Sequence, residues 1–380
     1  MDFESHNQEV KRVWDAFHKR EPHRIPVIIG ASTRASLLNP AVNTERICFR
    51  EYTLDPEIML RKQLEHHYWV RHNIMQDAEM GLPAAWSLHV DFQNMYEAAW
   101  LGAPIRFEDG NCPYAAPMLT DENKESFLDE PIPDPFDDGG WMSRNWEYYD
   151  FFQQKRVEGF EFMGRPIGSI SPCAVGTDGP FTLAAALRGT SILADMLLEP
   201  DFFSRLMDKL TSAIIMRMIA YRQRLNMPEK GAFGFADDSV AMLSLTQYIE
   251  HVLPSHKRLV DTFADPNQPN SIHLCGDAQR FFPLLRDRLN IYSFDTGYPI
   301  NWNTIRAEVG PEAVINGGPA VILLLKGPVP EIVRETKRIL DSPAARGGRF
   351  ILREANNLAP CTPLENISVF YKTALEHGKL

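Results

Sequence analysis

The sequence has no basic tract longer than a few residues and no long uninterrupted apolar run. The first lack, with 39 basic against 50 acidic side chains and a net charge of −11, speaks against a protein that tracks a phosphate backbone or an anionic bilayer. Neither a nucleic-acid nor a membrane partner is expected. The second leaves nothing near the roughly eighteen apolar residues of a membrane span. The opening residues Asp2-Phe3-Glu4-Ser5-His6-Asn7-Gln8-Glu9 are polar and acidic, not basic then apolar, so the expected location is the cytoplasm. Cysteine is scarce: Cys48, Cys112, Cys173, Cys275 and Cys361 make five, an odd number widely scattered, which argues against a disulfide framework and leaves thiol or metal chemistry. Absent too are G-x-G-x-x-G, G-x-x-x-x-G-K-[ST], H-E-x-x-H and G-x-S-x-G, so nucleotide cofactors and serine hydrolysis are not first readings.

What is present is ample core material. With 380 residues, 44% hydrophobic and 23% charged, and 22 Phe, 11 Tyr and 7 Trp, the chain can bury a large interior. No linker divides it, and a single domain over residues 1–380 is expected. Short apolar runs at 25–29, 86–90, 167–171, 232–236, 271–274, 291–294, 313–316 and 349–352 read as strands, with helical patterns between them. The helices carry signals of their own. Ser244-Leu245-Thr246-Gln247 and Thr362-Pro363-Leu364-Glu365 read as capping boxes, Asn303 opens a helix that stops near Gly310, and Pro330 suits a first helical position. Strands alternating with helices imply parallel pairing with right-handed crossovers, and eight such units predict an α/β fold, a (β/α)8 TIM barrel. Val10, Val13, Trp14 and Phe17 predict a helix over 7–19 packed across one end. Residues 92–165, rich in proline and aromatic rings, are too long for a simple connection and are expected to form a lid-like insertion over the barrel mouth; a peripheral packing subdomain is the plainer alternative.

In such a barrel the chemistry sits at the carboxyl ends of the strands. There the sequence places Asp91, Asp237 with Asp238, His273 with Cys275, Asp295, Asn316, and Asn356 with Asn357. Any one of these aspartates can serve as a helix cap or turn residue, and only their convergence points to function. In Ser271-Ile272-His273-Leu274-Cys275-Gly276 the residues His273 and Cys275 stand two apart on a strand, so both project to one side, with Gly276 letting the chain turn away. Zinc accepts imidazole and thiolate together, and a catalytic site needs three protein ligands and an open position. A hydrogen-bonded core histidine beside a small apolar cysteine would look the same at this stage.

From about residue 164 to 380, and more loosely from 24, the sequence resembles the uroporphyrinogen decarboxylase superfamily, which includes zinc- and corrinoid-linked methyltransferases. The matching segments are Gly179-Pro180-Phe181-Thr182 through Leu187-Arg188-Gly189, Asp237-Asp238 with Tyr248 and Leu253-Pro254, His273-Leu274-Cys275-Gly276, Asn316-Gly317-Gly318 and Pro360-Cys361-Thr362-Pro363-Leu364-Glu365-Asn366. The resemblance implies the (β/α)8 barrel, and two chemistries. Decarboxylases hold a polycarboxylate with two arginines four apart after the first strand; Gly30-Ala31-Ser32-Thr33-Arg34 keeps only Arg34. The family's pyrrole-binding aspartate would fall near Asp91. In the methyltransferases His273 and Cys275 would ligate zinc with a later cysteine, a place that Asn356 occupies here. Cys361 lies five residues beyond and is the expected third ligand if its loop folds back, with Asp237 or Asp238 as the other candidates.

The resemblance therefore predicts methyl transfer between a small methylated substrate, an O-methyl compound such as an aromatic ether or a thiol, and a corrinoid, with zinc as Lewis acid. Asp91, Asp237 and Asp238 are the expected catalytic carboxylates; Arg34, Asn316 and Asn356 are expected to bind substrate; His273, Cys275 and Cys361 are expected to bind metal. The chain lacks an Asp-x-His-x-x-Gly pattern, so the corrinoid is expected on a separate partner protein, and a homodimer is the expected assembly. A decarboxylase-like lyase acting on a tetrapyrrole or other carboxylic acid through Asp91 and Arg34 is one rival reading, and a corrinoid- or tetrapyrrole-binding protein without turnover is the other.

Overall fold

The structure, a computed structural model, describes residues 2–380. Asp2 accepts hydrogen bonds from the backbone N–H of Glu4 and Ser5 at 3.1 and 3.3 Å, and this cap starts α1 (Phe3–His18) a little earlier than the apolar spacing alone predicts. α1 buries Val10, Val13 and Phe17, the residues that mark its apolar stripe.

The chain then alternates. β1 (Trp86–His89) pairs in parallel with β2 (Arg165–Ser171). β3 (Gly234–Ala236), β4 (Asn270–Leu274), β5 (Ile291–Thr296), β6 (Val314–Gly317) and β7 (Phe350–Leu352) follow one another in a five-stranded parallel sheet. Helices connect them, which makes the protein a mixed α/β structure with the apolar runs of its strands buried. In β4 the faces alternate: Asn270, Ile272 and Leu274 are buried, whereas Ser271 and His273 are half-buried on the other side. Register carries that side across the sheet. His273 pairs with Asp295, and Asp295 with Asn316, so three polar residues form one row on three neighbouring strands.

Residues 25–29 do not form a regular strand. They run parallel beside β7 through Leu352 N to Pro26 O at 2.9 Å and Ile28 N to Leu352 O at 3.0 Å. Pro26 has no N–H to donate, and the ladder stops there. On the far side Asp77 takes over: its carboxylate accepts from Val27 N at 2.7 Å, from Arg24 at 2.6 and 2.8 Å, and from Tyr371 Oη at 2.9 Å. Between β2 and β3 the link is Ala236 N to Thr177 O at 3.3 Å.

Within 92–165 a short hairpin (Ile105–Arg106 with Tyr114–Ala115) precedes α2 (Trp141–Val157). Trp146, Tyr148 and Phe152 of α2 are buried, and Trp146 packs edge-on to Tyr221 with ring centroids 4.9 Å apart. The aromatic rings of this segment are thus engaged in packing. The capping box at 244–247 forms, with Ser244 N to Gln247 Oε1 at 2.9 Å and Gln247 N to Ser244 Oγ at 3.2 Å. The one expected at 362–365 does not: the Thr362 hydroxyl donates to Ala359 O at 2.7 Å instead, and helix α3 (Leu364–His377) starts without a side-chain cap. No single helix among the described residues is long and apolar enough to cross a membrane.

Asp77 is 1% exposed and Arg24 6%, so removing one partner strands a buried charge. Asp77→Ala is expected to lower stability by about 3–5 kcal/mol, read as a fall in the urea midpoint; an unchanged midpoint would contradict the role given to this pair.

Candidate metal centre

β4 delivers His273, and Cys275 follows one residue past the strand end. Gly276 then turns away at φ +75°, a left-handed conformation that costs a residue without a Cβ little. The two side chains face one another: His273 Nε2 lies 2.9 Å from Cys275 Sγ. Asp238, two residues past β3, completes the group. Its Oδ1 accepts from Cys275 N at 2.6 Å and stands 3.8 Å from His273 Nε2. One oxygen, one nitrogen and one sulfur, from Asp238, His273 and Cys275, thus lie within 4.8 Å of one another.

A second set of residues holds the first. His273 Nδ1 meets Asp295 Oδ2 at 2.7 Å; a carboxylate accepts, so Nδ1 carries the proton and Nε2 is turned toward the sulfur. Asp295 is itself gripped by Arg353 Nη1 at 3.0 and 2.9 Å, and Arg353 Nη2 donates to Asn356 O at 2.7 Å. Asn356 Nδ2 in turn donates to Cys275 Sγ at 3.0 Å. The network therefore returns to the sulfur it started from.

Without a cation, this cluster holds protons. Burial disfavours the charged imidazole of His273, but its hydrogen bonds to Asp295 and Cys275 outweigh that and push it up to about 10. Burial raises the Cys275 thiol, against the opposing pull of His273. A divalent cation among the three donors would take the place of these protons, as metals do at His and Cys ligands. The residues fit such an ion: the donors are close, their chemistry is that of zinc ligands, and the histidine is backed by a carboxylate as zinc-bound histidines are.

The other expected site residues fall in different places. Asn316 stands in the row with His273 and Asp295, and its Oδ1 is buried without a hydrogen-bond partner. Asn356 touches the sulfur as a donor. Asp237, next to Asp238, is fully buried and points the other way. It accepts from Phe181 N at 3.0 Å, Thr182 N at 2.7 Å and His256 Nε2 at 2.9 Å, and so caps the helix Pro180–Arg188 instead of joining the three donors. Cys361 is exposed, with its Sγ 3.6 Å from Leu38 O, and the structure does not bring it to His273 and Cys275.

Arg34 and Asp91 meet in a cavity of about 530 Å³ that also includes His67, Gln93, Tyr96 and Asn357. Asp91 is saturated there. Its Oδ2 accepts from Thr33 Oγ1 at 2.6 Å and Tyr52 Oη at 2.8 Å, its Oδ1 from Gln93 N at 3.1 Å and Gln93 Nε2 at 2.6 Å. Burial alone would raise this carboxyl, but nearby His89 and these hydrogen bonds hold it below its usual value. Arg34 is anchored on two neutral amides, Gln93 Oε1 at 2.6 Å and Asn94 Oδ1 at 3.2 Å, with no carboxylate partner among the described residues. Ser32 Oγ and His67 Nε2, on the same wall, are buried and unpartnered. Sequence reasoning gave Arg353 no role, although its place just past the last strand was the available signal.

The sequence profile of the uroporphyrinogen decarboxylase (URO-D) family matches residues 8–377. A methylated-thiol–coenzyme M methyltransferase of Methanosarcina mazei is 28% identical over 203 residues, 52% of this chain and 51% of that protein. A methylcobamide:CoM methyltransferase of the same organism is 21% identical over 227 residues, 57% of this chain and 62% of that protein. A uroporphyrinogen decarboxylase of Prochlorococcus marinus is 29% identical over 206 residues, 51% and 55%. The chain spans about half the length of the curated relatives it matches. Among solved structures, a methyltransferase from Methanosarcina mazei shares the fold at a TM-score of 0.63 and 18% identity, over 97% of this chain and 98% of that one.

The geometry makes distinct claims about three residues. After loading with zinc, His273→Ala is expected to retain none by elemental analysis and Cys361→Ser to retain the wild-type amount. Arg353→Met is expected to bind zinc about 10–100-fold more weakly in a chelator competition. Loss of zinc in Cys361→Ser would contradict the placement of that residue.

Proposed function

The chain belongs to the uroporphyrinogen decarboxylase (URO-D) family, and from that premise we propose that it moves a methyl group between a small methylated substrate and a corrinoid carried by a separate protein. The metal of this reading is zinc, held by Asp238, His273 and Cys275. The closing of the strands into a barrel, and the cytoplasm as the place of action, belong to the same proposal. The observation that carries it is the oxygen, nitrogen and sulfur donor set gathered at the ends of neighbouring strands β3 and β4.

Bound there, zinc would polarise the heteroatom from which the methyl group leaves or to which it is added. The remaining work falls to the chain's own residues. Arg353 and Asp295 fix the ring plane of His273, so the donor set is oriented before substrate arrives. Asn316 Oδ1, buried and unpartnered, is an acceptor in the same row and suits a polar hydrogen of the substrate. Arg34 presents a positive charge to the cavity of about 530 Å³ and suits an anionic group on the substrate's far end, with Ser32 Oγ and His67 Nε2 beside it. A carboxylate in place of a second thiolate makes the set harder, which favours an oxygen-bound methyl group, and aromatic methyl ethers are the first substrates to test.

The rival decarboxylase reading calls on Asp91, but all four of its hydrogen-bond acceptances go to protein groups. It also calls on a pair of arginines where Arg34 stands alone.

The chain is to be supplied with zinc, a cobalt(I) corrinoid protein and either a methoxylated aromatic acid or a methyl thioether, and the visible spectrum followed for methylcobalt(III). Formation with the ether, falling to background in His273→Ala, is the expected result. Release of carbon dioxide from a porphyrinogen, equal in wild type and His273→Ala, would replace methyl transfer by the lyase reading.

A further inference from the structure

The cavity of about 530 Å³ is walled in part by two loops that leave the ends of paired strands. One carries Asp91, Gln93 and Tyr96 beyond β1, and the other carries Cys173, Ala174 and Val175 beyond β2. The backbone ladder between the strands reaches Val90 N to Ser171 O at 3.0 Å; beyond it the loops are joined through side chains. The second loop needs such a hold. Ala174 stands at φ +62°, in the left-handed region that a Cβ disfavours, and a residue stays there only where its surroundings fix it.

The group that fixes it is Arg217, on the long helix Pro200–Arg224 and fully buried. Its Nη1 donates to Ala174 O, and its Nη2 donates to Gly176 O at 3.0 Å and to Glu97 Oε1. Glu97 is 3% exposed and directly follows Tyr96 of the first wall. Its Oε2 accepts from Thr177 Oγ1 and from Asp178 N, both at 3.0 Å. The rings of Tyr96, Trp100 and Tyr221 surround the guanidinium, their centroids 5.8 to 5.9 Å from its central carbon. Tyr221, one helical turn beyond Arg217, extends the hold: its Oη accepts from Asn145 Nδ2 at 3.1 Å, and Asn145 Oδ1 accepts from Cys173 N at 2.8 Å. One guanidinium and one carboxylate thus tie the loop after β1 to the loop after β2.

A buried ion pair is a poor way to gain stability, because a well-packed apolar pair of similar size does as well or better. What this pair supplies is direction. The planar fork of Arg217 reaches two carbonyls and a carboxylate at once, which the single charge of a lysine cannot do. We propose that Arg217 and Glu97 are positioning residues for the substrate: they latch the two loops that wall the cavity and fix its shape before substrate enters. The pair stands behind the wall and touches no reacting atom. The inference rests on the methyl-transfer reading for the identity of the substrate.

The test compares zinc-loaded wild type, Arg217→Lys, Arg217→Met and the double variant Glu97→Leu/Arg217→Met. Arg217→Met strands the Glu97 charge, so the double variant is expected to have the higher urea midpoint of the two. Binding of 3-methoxybenzoate, followed by calorimetry, is expected to move otherwise: about 10-fold weaker than wild type in both, and weakened less in Arg217→Lys, with zinc content unchanged in all. Alkylation of Cys173 by iodoacetamide reports the second loop directly, because that thiol is 8% exposed and in the cavity wall, with the exposed Cys48 and Cys361 as internal references. It is expected to quicken about 10-fold in the double variant, as local opening of the loop becomes easier. In methyl transfer to the corrinoid the same variant is expected to raise KM with kcat little changed, the mark of lost uniform binding. Binding that recovers together with the urea midpoint, Cys173 as protected in the double variant as in wild type, or no binding of 3-methoxybenzoate by wild type would overturn the positioning role. A wild-type chain that binds the probe but forms no methylcobalt(III) would remove the methyl-transfer reading and leave the latch supported by the binding and alkylation results.

Discussion

The site depends on one contact, the hydrogen bond from His273 Nδ1 to Asp295, at 2.7 Å. It decides which nitrogen carries the proton, and so which nitrogen faces Cys275 and Asp238. Arg353 makes the contact a fixed one by binding the same carboxylate and the Asn356 backbone. Imidazole, carboxylate, guanidinium, amide and thiol are closed into a loop, and no member can turn without breaking a neighbour's bond.

That loop is a product of strand register. Because β4, β5 and β6 are parallel and aligned, His273, Asp295 and Asn316 come from three separate parts of the chain to one row. The opposite face of the same strands is apolar: Ile272, Phe294 and Ile315 are at most 2% exposed. A register slip of one residue would exchange the two faces, placing the ion-binding groups in the core. Core burial and site geometry are therefore enforced by the same pairing, which is why a polar row can persist on strands whose composition is mostly apolar.

Much of this was legible in the sequence because parallel strands buried on both sides read as short apolar runs between turn residues. The run at 25–29 was legible as extended chain, but Pro26 interrupts its ladder. The pairing of His273 with Cys275 follows from the two-residue period of a strand. The third donor was harder to choose. It arrives from Asp238, 37 residues before Cys275, and of two adjacent aspartates only the docking of the helix Pro180–Arg188 decides which is consumed as a cap. Cys361 lies near Asn356 in sequence, whereas its backbone, at φ +64°, directs it to the exterior near Leu38.

The most direct test of the whole account is X-ray absorption at the zinc edge of the loaded, substrate-free chain. A donor set of Asp238, His273 and Cys275 predicts one sulfur at about 2.3 Å with the remaining scatterers nitrogen or oxygen at about 2.0–2.2 Å. A shell with two sulfurs, or with none, would contradict it.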